Sequence, residues 1–296
     1  MRTLVATLAL LVAASCSSGP AAVPPRPAPA SAHAVSSTAV PTSTPTPPLP
    51  AYYVESLRAR QPVAGKIELL DLMFRGQGFA KHHVTWVSGG QTMTGTISLP
   101  DGPGPFPVVI VNHGHIPPER YWIGQDSGIF GDPMAAHGFI SIAPNYVGYN
   151  GSGAGDEALL TNQRIAVTEM DLISSLASLP QAVATKVAVV GHSQGGGVSE
   201  ILMVIDPRLR AVVLHAPVSS SEAENAERLH ARNGSWPALG DPVQNAQAYE
   251  HVSPRSYFAA WQPATLLIRA RLITRSQPNT RRRRSTPCSA AVSALS

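Results

Sequence analysis

Short apolar runs alternate with longer amphipathic segments through the middle of the chain. The run from Pro107 to Asn112 is continuous and rich in valine, which is typical of a parallel strand covered on both faces. The same pattern predicts strands at 66–74, 80–87, 92–99, 107–112, 139–143, 186–190, 210–214 and 263–268. It predicts helices at 128–137, 156–179 and 194–205, with helices and loops over 218–260. This alternation predicts an α/β fold with a doubly wound, mostly parallel sheet.

The N-terminal 50 residues have a different pattern. Residues 1–16 are predicted to be an export signal, because Arg2 precedes an apolar stretch that ends in small residues before Cys16. This ending resembles a bacterial lipobox, so we expect lipid attachment at Cys16 and a location in the bacterial cell envelope. The alternative is an ordinary secreted protein. Residues 17–50 hold ten of the 28 prolines and predict an extended linker, which places the folded domain at 51–268.

The net charge of +4 is concentrated at the C-terminal end of the chain. Seven of the 22 basic residues follow Ile268 and no acidic residue does, which leaves residues 1–268 with 15 basic and 18 acidic residues, a net charge of −3. Because this body is mildly acidic, we expect no nucleic-acid binding. Cys16 and Cys288 both lie outside the predicted domain, so no disulfide framework is expected. No H-E-x-x-H or comparable spacing predicts a metal site.

The strongest candidate site is the G-x-S-x-G sequence of Gly191, His192, Ser193, Gln194 and Gly195. It lies directly between a predicted strand and a predicted helix, which is the context that this motif requires. The two glycines let neighbouring segments pass closely, and the N–H of Gln194 is expected to face a forming oxyanion. We predict that Ser193 is a nucleophile; the alternative is a structural turn. His192 is expected to point elsewhere and not to act as the base.

Together with two further segments, this motif resembles the α/β-hydrolases of the prolyl-oligopeptidase and dienelactone-hydrolase type, over about residues 64–268. The segments are N-H-G-H-I-P-P-E-R-Y at 112–121 and G-F-I-S-I-A-P-N-Y-V-G-Y-N-G-S at 138–152. The resemblance implies that the H-G segment builds the other half of an oxyanion hole, with the backbone N–H of His115 as the second donor. It also implies a hydrolase that needs no cofactor and acts on small ester or peptide substrates.

Other residues in these segments have a structural interpretation as well. His113 is expected to pack or to form a hydrogen bond at the strand end, rather than to act in catalysis. Tyr121 is expected to pack in the core, with the lining of an acyl pocket as the alternative. Asn145 and Val147 replace the family's usual Asp and Arg, a departure that affects a structural turn more than the chemistry.

The acid and the histidine that the family places after its last strands are missing. After the strand at 263–268 the chain has no Asp, Glu or His. Residues 269–280 can be encoded by codons that, in a reading frame shifted by one base, encode G-T-A-D-H-T-V-P-A-E-H. This sequence resembles the family's acid loop. We therefore hypothesise that residues 269–296 form an out-of-frame, disordered tail. The fold would then be truncated at its C-terminal end, and the hydrolase impaired.

Two alternatives keep the chain functional as it stands. In the first, Ser193 takes a base and an acid from elsewhere in the domain; the candidates are His215, His230 and His251, with Glu222, Glu224, Glu227, Asp241 and Glu250. In the second, the chain is a non-catalytic envelope lipoprotein that binds ligands on a hydrolase scaffold. The arginine cluster has two interpretations. One is an anion-binding or membrane-surface patch, and the other is a translation artefact.

Overall fold

A nine-stranded mixed sheet forms the centre of the computed structural model, which describes residues 49–153, 160–261, 264–270 and 290–295. The strands are β1 Glu68–Gly76, β2 Phe79–Ser88, β3 Gln91–Pro100, β4 Phe106–Asn112, β5 Ile140–Pro144, β6 Ala182–His192, β7 Leu209–His215, β8 Ala264–Ala270 and β9 Ala290–Leu295. Their order in the sheet is β1-β2-β3-β5-β4-β6-β7-β8-β9. Strands β5, β4, β6, β7 and β8 run parallel, and the others are antiparallel to their neighbours. The predicted α/β sheet is confirmed.

Six α-helices connect the strands within the described ranges: α1 Val54–Ala59, α2 Ser127–Ala136, α3 Thr161–Ser175, α4 Gln194–Ile205, α5 Glu222–Asn233 and α6 Ala246–Val252. Short 3-10 turns lie at Leu49–Tyr52, Pro118–Arg120, Leu176–Ser178 and Pro254–Ala260. The helix predicted at 156–179 is found at Thr161–Ser175, because Leu160 has a φ of +48° and lies outside it; the predicted start at 156–159 lies outside the described residues. None of these helices is both long enough and apolar enough to cross a lipid bilayer.

The two faces of the sheet are buried by different helices. On β4, Val109 and Val111 pack in a cluster with Phe130 of α2, whereas Val108 and Ile110 belong to the cluster that includes residues of α3 and α4. All four β4 side chains are at most 1% exposed. Burial of each such side chain contributes roughly 1.5–3 kcal/mol, so the continuous apolar run is stable only where both faces are covered.

The C-terminal edge of the sheet differs from the sequence expectation. Strand β8 continues to Ala270, beyond the predicted domain end at residue 268. The sequence predicts a disordered tail over residues 269–296, but Ala290–Leu295 pairs with β8 in antiparallel register. An unpaired edge presents a row of backbone donors and acceptors that another extended segment can satisfy. The rest of the predicted tail, residues 271–289 and 296, and the signal and linker at residues 1–48, including Cys16, lie outside the described residues.

The carboxyl ends of the parallel strands meet at one edge of the sheet. Asn112 at the end of β4 pairs with Gly191 of β6, and His192 pairs with His215 at the end of β7. His215 in turn pairs with Ile268 of β8. Ligands of open α/β sheets bind at such an edge, so this is where the candidate site is built.

Candidate active site

Ser193 lies on a sharp turn between β6 and α4, with backbone angles of φ +51° and ψ −114°. A positive φ is uncommon for a residue that carries a side chain, and such strain costs about 1–3 kcal/mol. The surrounding chain holds the turn in place. The Ser193 N–H donates to the carbonyl of His215 over 3.1 Å, and the Ser193 carbonyl accepts from the N–H of Val218 over 3.1 Å. A serine held in a strained strand-to-helix turn is the geometry of a nucleophile elbow.

The glycines around Ser193 are required by close backbone contacts. A Cβ atom on Gly191 would lie 2.2 Å from the carbonyl oxygen of Gly195, and one on Gly195 would lie 2.3 Å from that of Asn112. On Gly196 a Cβ atom would lie 2.6 Å from the Cβ of Pro217. Real side chains do not approach this closely, so any larger residue would push the elbow away from the strand ends. Gly196 therefore shares the packing role that the sequence predicted for the other two.

Two backbone N–H groups are available beside the elbow. Gln194 is the first residue of α4, and the N–H groups of a helix's first turn have no partner inside the helix. His115 is exposed and follows Gly114, where an added Cβ atom would lie 3.4 Å from the Cβ of Ser193. Within the described ranges neither N–H donates a hydrogen bond. Two free donors near a serine hydroxyl are the elements of an oxyanion hole.

His113 and Tyr121 pack behind the loop that carries these donors. The His113 ring stacks on Tyr146 with 3.8 Å between centroids, and on Tyr121 with 4.6 Å. Burial lowers the pKa of His113 to about 4, so the ring is neutral and its Nδ1 donates to the Gly114 carbonyl over 2.7 Å. The buried Tyr121 hydroxyl donates to Oδ1 of Asn145 over 2.9 Å. Both aromatic side chains have the packing role that the sequence favoured.

Sequence reasoning missed a contact between Asp126 and the elbow. Oδ2 of Asp126 lies 2.7 Å from Nδ1 of His192 and accepts a second hydrogen bond from the N–H of Gly114, also over 2.7 Å. The hydrogen bond with Asp126 raises the pKa of His192. Asp126 precedes Ser127 at the start of α2, where an aspartate ordinarily caps the helix, but its side chain makes no cap hydrogen bond. The sequence signal is that of an ordinary helix cap, which is why it did not reveal the contact.

Of the three alternative bases, the structure brings only His215 to the elbow. Its ring centroid lies 5.2 Å from that of His192, and burial lowers its pKa. His230 stacks instead on a tryptophan ring of the following loop, with 3.9 Å between centroids. His251 lies on α6 with Nδ1 3.0 Å from Oε1 of Glu55.

The acidic alternatives do not form a pair with His215. Within the described part of the chain, no hydrogen bond joins that ring to any of them. Glu224 pairs with Arg255 over 2.8 Å, and Asp241 accepts the N–H of Val243 over 2.8 Å. Glu227 and Glu250 are exposed, while Glu222 lines a cavity. The described residues also contain no cluster of three or more His, Cys, Asp or Glu side chains that could bind a metal ion.

A buried polar network supports the elbow from the α3 side of the sheet. Nδ2 of Asn112 donates to Oε2 of Glu169 over 3.0 Å and to Oγ of Ser199 over 3.2 Å. The Ser199 hydroxyl donates to the carbonyl of Gly195 over 2.8 Å. Burial raises the pKa of Glu169 to about 8, so this carboxyl is protonated at neutral pH. A neutral carboxyl is compatible with full burial, and it holds Asn112 behind the strand end.

A cavity of about 250 Å³ lies between the start of α3 and helix α5, and neither Ser193 nor Gln194 is part of its wall. Nε2 of Gln194 donates to Oδ1 of Asn162 over 3.1 Å, and Asn162 is part of the cavity wall. Burial raises the pKa of Glu222, which lines the cavity with the apolar side chains of Leu229 and Leu239. The segment at 218–260, whose sequence carried no specificity signal, therefore supplies much of this wall.

The sheet and the elbow give this chain the fold of the α/β-hydrolases. Residues 84–209, which include β2 to α4 and the elbow, match the family model described as Chlorophyllase. Comparison with curated protein sequences finds no match.

Solved structures with the same fold include both esterases and peptidases. Acetyl xylan esterase 1 from a Thermoanaerobacterium species is 20% identical, with a TM-score of 0.51 over 71% of this chain and 72% of that chain. The acetyl xylan esterase of a Paenibacillus species is 17% identical, with a TM-score of 0.55 over 72% and 75%. The acylaminoacyl peptidase of Pyrococcus horikoshii is 18% identical, with a TM-score of 0.50 over 65% of this chain but 32% of that chain. At these identities the similarity establishes the shared fold.

Proposed function

We propose that the protein belongs to the esterases among the serine hydrolases, with Ser193 as its nucleophile. The observation that carries the proposal is the strained Ser193 turn, which lies beside the two unpaired N–H groups of Gln194 and His115. With a complete triad, the Ser193 hydroxyl attacks the ester carbonyl carbon and loses its proton to the triad histidine, which passes that proton on to the leaving alcohol. The oxyanion accepts hydrogen bonds from the two N–H groups, the alcohol leaves, and water then releases the acid from the acyl-enzyme. No cofactor takes part in these steps.

The extent of the structural similarity supports an ester rather than a peptide as substrate. The two esterases align over about three quarters of their own length, whereas the peptidase aligns over 32% of its chain. The described domain therefore corresponds to most of each esterase and to a smaller part of the peptidase.

We further propose that turnover is impaired because the chain lacks the acid and the histidine of the triad. Strand β8 ends at Ala270, at the sheet edge that carries Ser193, and no Asp, Glu or His follows in the sequence. The shifted frame would introduce its aspartate directly after this strand. That position supports the hypothesis that residues from about 269 onward are out of frame.

The test compares the chain as given with a frame-restored chain. Both are assayed for p-nitrophenyl acetate hydrolysis and for labelling of Ser193 by a fluorophosphonate, with the Ser193→Ala variant of each as control. We expect the restored chain to be faster by roughly 10³-fold or more, because loss of the triad histidine alone is nearly as damaging as loss of the whole triad. Equal hydrolysis by both chains would overturn the proposed impairment. A folded, restored chain that neither hydrolyses nor labels would favour the binding lipoprotein instead.

The location in the cell envelope is also a proposal, and it depends on Cys16. The apolar stretch and the small residues before Cys16 support lipid attachment. Expression in bacteria with radiolabelled palmitate should label the full chain, and the Cys16→Ser variant should not be labelled. Release of unlabelled, processed wild-type protein into the medium would instead indicate an ordinary secreted protein.

A further inference from the structure

We infer that Asp126 is a positioning residue that holds the oxyanion loop against the nucleophile elbow. We call the contact of Asp126 with Gly114 and His192 the Asp126 clamp. Gly114 precedes the proposed donor His115, and His192 precedes Ser193. The clamp therefore joins the two halves of the site directly. Its catalytic consequence depends on the proposed esterase function, whereas the clamp itself does not.

The first argument is the geometry of a single oxygen atom. Oδ2 of Asp126 lies 2.7 Å from both the Gly114 nitrogen and Nδ1 of His192, and the Asp126 side chain is only 19% exposed. Hydrogen bonds to a carboxylate are roughly twice as strong as those between neutral groups. Burial would raise the pKa of Asp126, but the hydrogen bonds from His192 and Gly114 lower it below its ordinary value. The carboxylate is therefore charged, and both bonds are charge-assisted.

The second argument is the backbone of Asp126. Its angles are φ +65° and ψ −50°, and the N–H of Ser127 donates to the carbonyl of Gln125 over 2.7 Å. This is a γ-turn of the rare, strained form. The turn directs the carboxylate towards Gly114 instead of the first turn of α2, so the usual capping bond is lost. Strained backbone persists only where surrounding contacts compensate for it, and the two clamp bonds are such contacts.

The third argument concerns charge near the oxyanion. A carboxylate close to the forming oxyanion would repel it, unless a cation balances the carboxylate charge. His192 supplies that cation when it is protonated, and its side chain remains 32% exposed to solvent. The other titratable group that faces His192 is His215, and His113 lies close enough to Asp126 to act on its charge. Burial lowers the pKa of both His113 and His215, which favours their neutral forms. His192 is therefore the group that balances the charge of Asp126.

Two variants of Asp126 in the full chain separate its charge from its hydrogen bonds. Asp126→Asn keeps an acceptor for the Gly114 N–H but removes the charge, so the pKa of His192, measured by NMR of its ring, should fall. Asp126→Ala also removes the acceptor, and hydrogen exchange at the Gly114 amide should become roughly tenfold faster. The matched control is Asp132→Asn, because Asp132 lies on α2, the helix that directly follows Asp126 in the chain, and pairs with Lys81 over 2.7 Å, away from the elbow. This control should change neither quantity.

The catalytic role is tested in the frame-restored chain. Asp126→Ala should lower kcat by roughly 10- to 100-fold with little change in KM, since the loop contributes to binding the oxyanion and not the substrate. Asp132→Asn should keep kcat within about threefold of the parent. If neither the His192 pKa nor the Gly114 exchange changes in Asp126→Ala, the clamp is refuted. If the NMR measurements show that Asp126→Ala has lost the clamp but its kcat is unchanged, the positioning role is refuted. Failure of the restored chain to hydrolyse esters would contradict the proposed function, and the NMR measurements would still decide the clamp.

Discussion

The N–H of Ala216 donates to the carbonyl oxygen of Ile268 over 2.8 Å, which joins the turn after β7 to the end of β8. The residue before Ala216 accepts the N–H of Ser193, so the end of β8 lies one strand away from the nucleophile. Strand β8 therefore reaches the edge of the sheet that carries Ser193.

The first prediction concerns the aspartate that the shifted frame introduces after β8. In the frame-restored chain, its replacement by asparagine should lower kcat for p-nitrophenyl acetate by roughly 10³- to 10⁴-fold, because an acid of this kind orients and stabilises the catalytic histidine. Replacement of the shifted-frame glutamate six positions later is the matched control and should have little effect. A loss of kcat in the glutamate variant alone would show that the aspartate is not the triad acid.

Backbone strain at Ser193 should destabilise the folded domain, and a glycine at this position should relieve that strain. Its φ of +51° is strained for any residue with a side chain, and glycine adopts it without strain. We expect Ser193→Gly to be about 1 kcal/mol more stable than Ser193→Ala in urea unfolding, since both lose the hydroxyl but only glycine relieves the strain. Equal midpoints for the two variants would show that the turn carries no strain.

Gly195 should tolerate no side chain. A Cβ atom there would lie 2.3 Å from the carbonyl oxygen of Asn112, which is backbone and cannot rotate away. Gly195→Ala should therefore cost about 2–4 kcal/mol of unfolding free energy. Gly65→Ala is the control, because the nearest atom to its added Cβ is 3.6 Å away and its φ is not positive. We expect that change to stay within about 1 kcal/mol of wild type. A similar loss in both variants would mean that the contact at Gly195 is not the cause.

Glu169 should make the domain less stable as the pH rises. Its pKa is about 8 in the folded state, against 4.5 for an ordinary glutamate, because burial disfavours the carboxylate. Between these values the folded state holds a proton that the unfolded state has lost, so the free energy of unfolding decreases by up to about 1.4 kcal/mol per pH unit. Glu169→Gln stays neutral and should remove this slope.

The measurement is the free energy of unfolding in urea at pH 5, 6, 7 and 8. The difference between Glu169→Gln and wild type should shift in favour of the variant at each step. Glu227→Gln is the control, because Glu227 is exposed on α5. Parallel curves for wild type and Glu169→Gln would contradict the assignment of a buried, protonated carboxyl.

Much of the fold and the centre of the site follow from consecutive residues. The apolar run at Pro107–Asn112 specifies a strand buried on both faces, since no other arrangement removes all its side chains from water. The glycines at 191 and 195 specify the tight elbow around Ser193, because only glycine allows the close backbone contacts there. Such information is local, and it can be identified in a single sequence.

Tertiary structure alone decided how the elbow is supported. Asp126 and His192 are 66 positions apart, and Asn112 and Glu169 are 57 apart. Neither pair follows a local pattern, because each depends on where loops and helices pack against the sheet. The same holds for the proton on Glu169, which only complete burial can retain at neutral pH. The sequence by itself determined the sheet and the place of the serine. Packing between distant segments decided the charges and hydrogen bonds that surround it, because burial and contact exist only once the chain has folded.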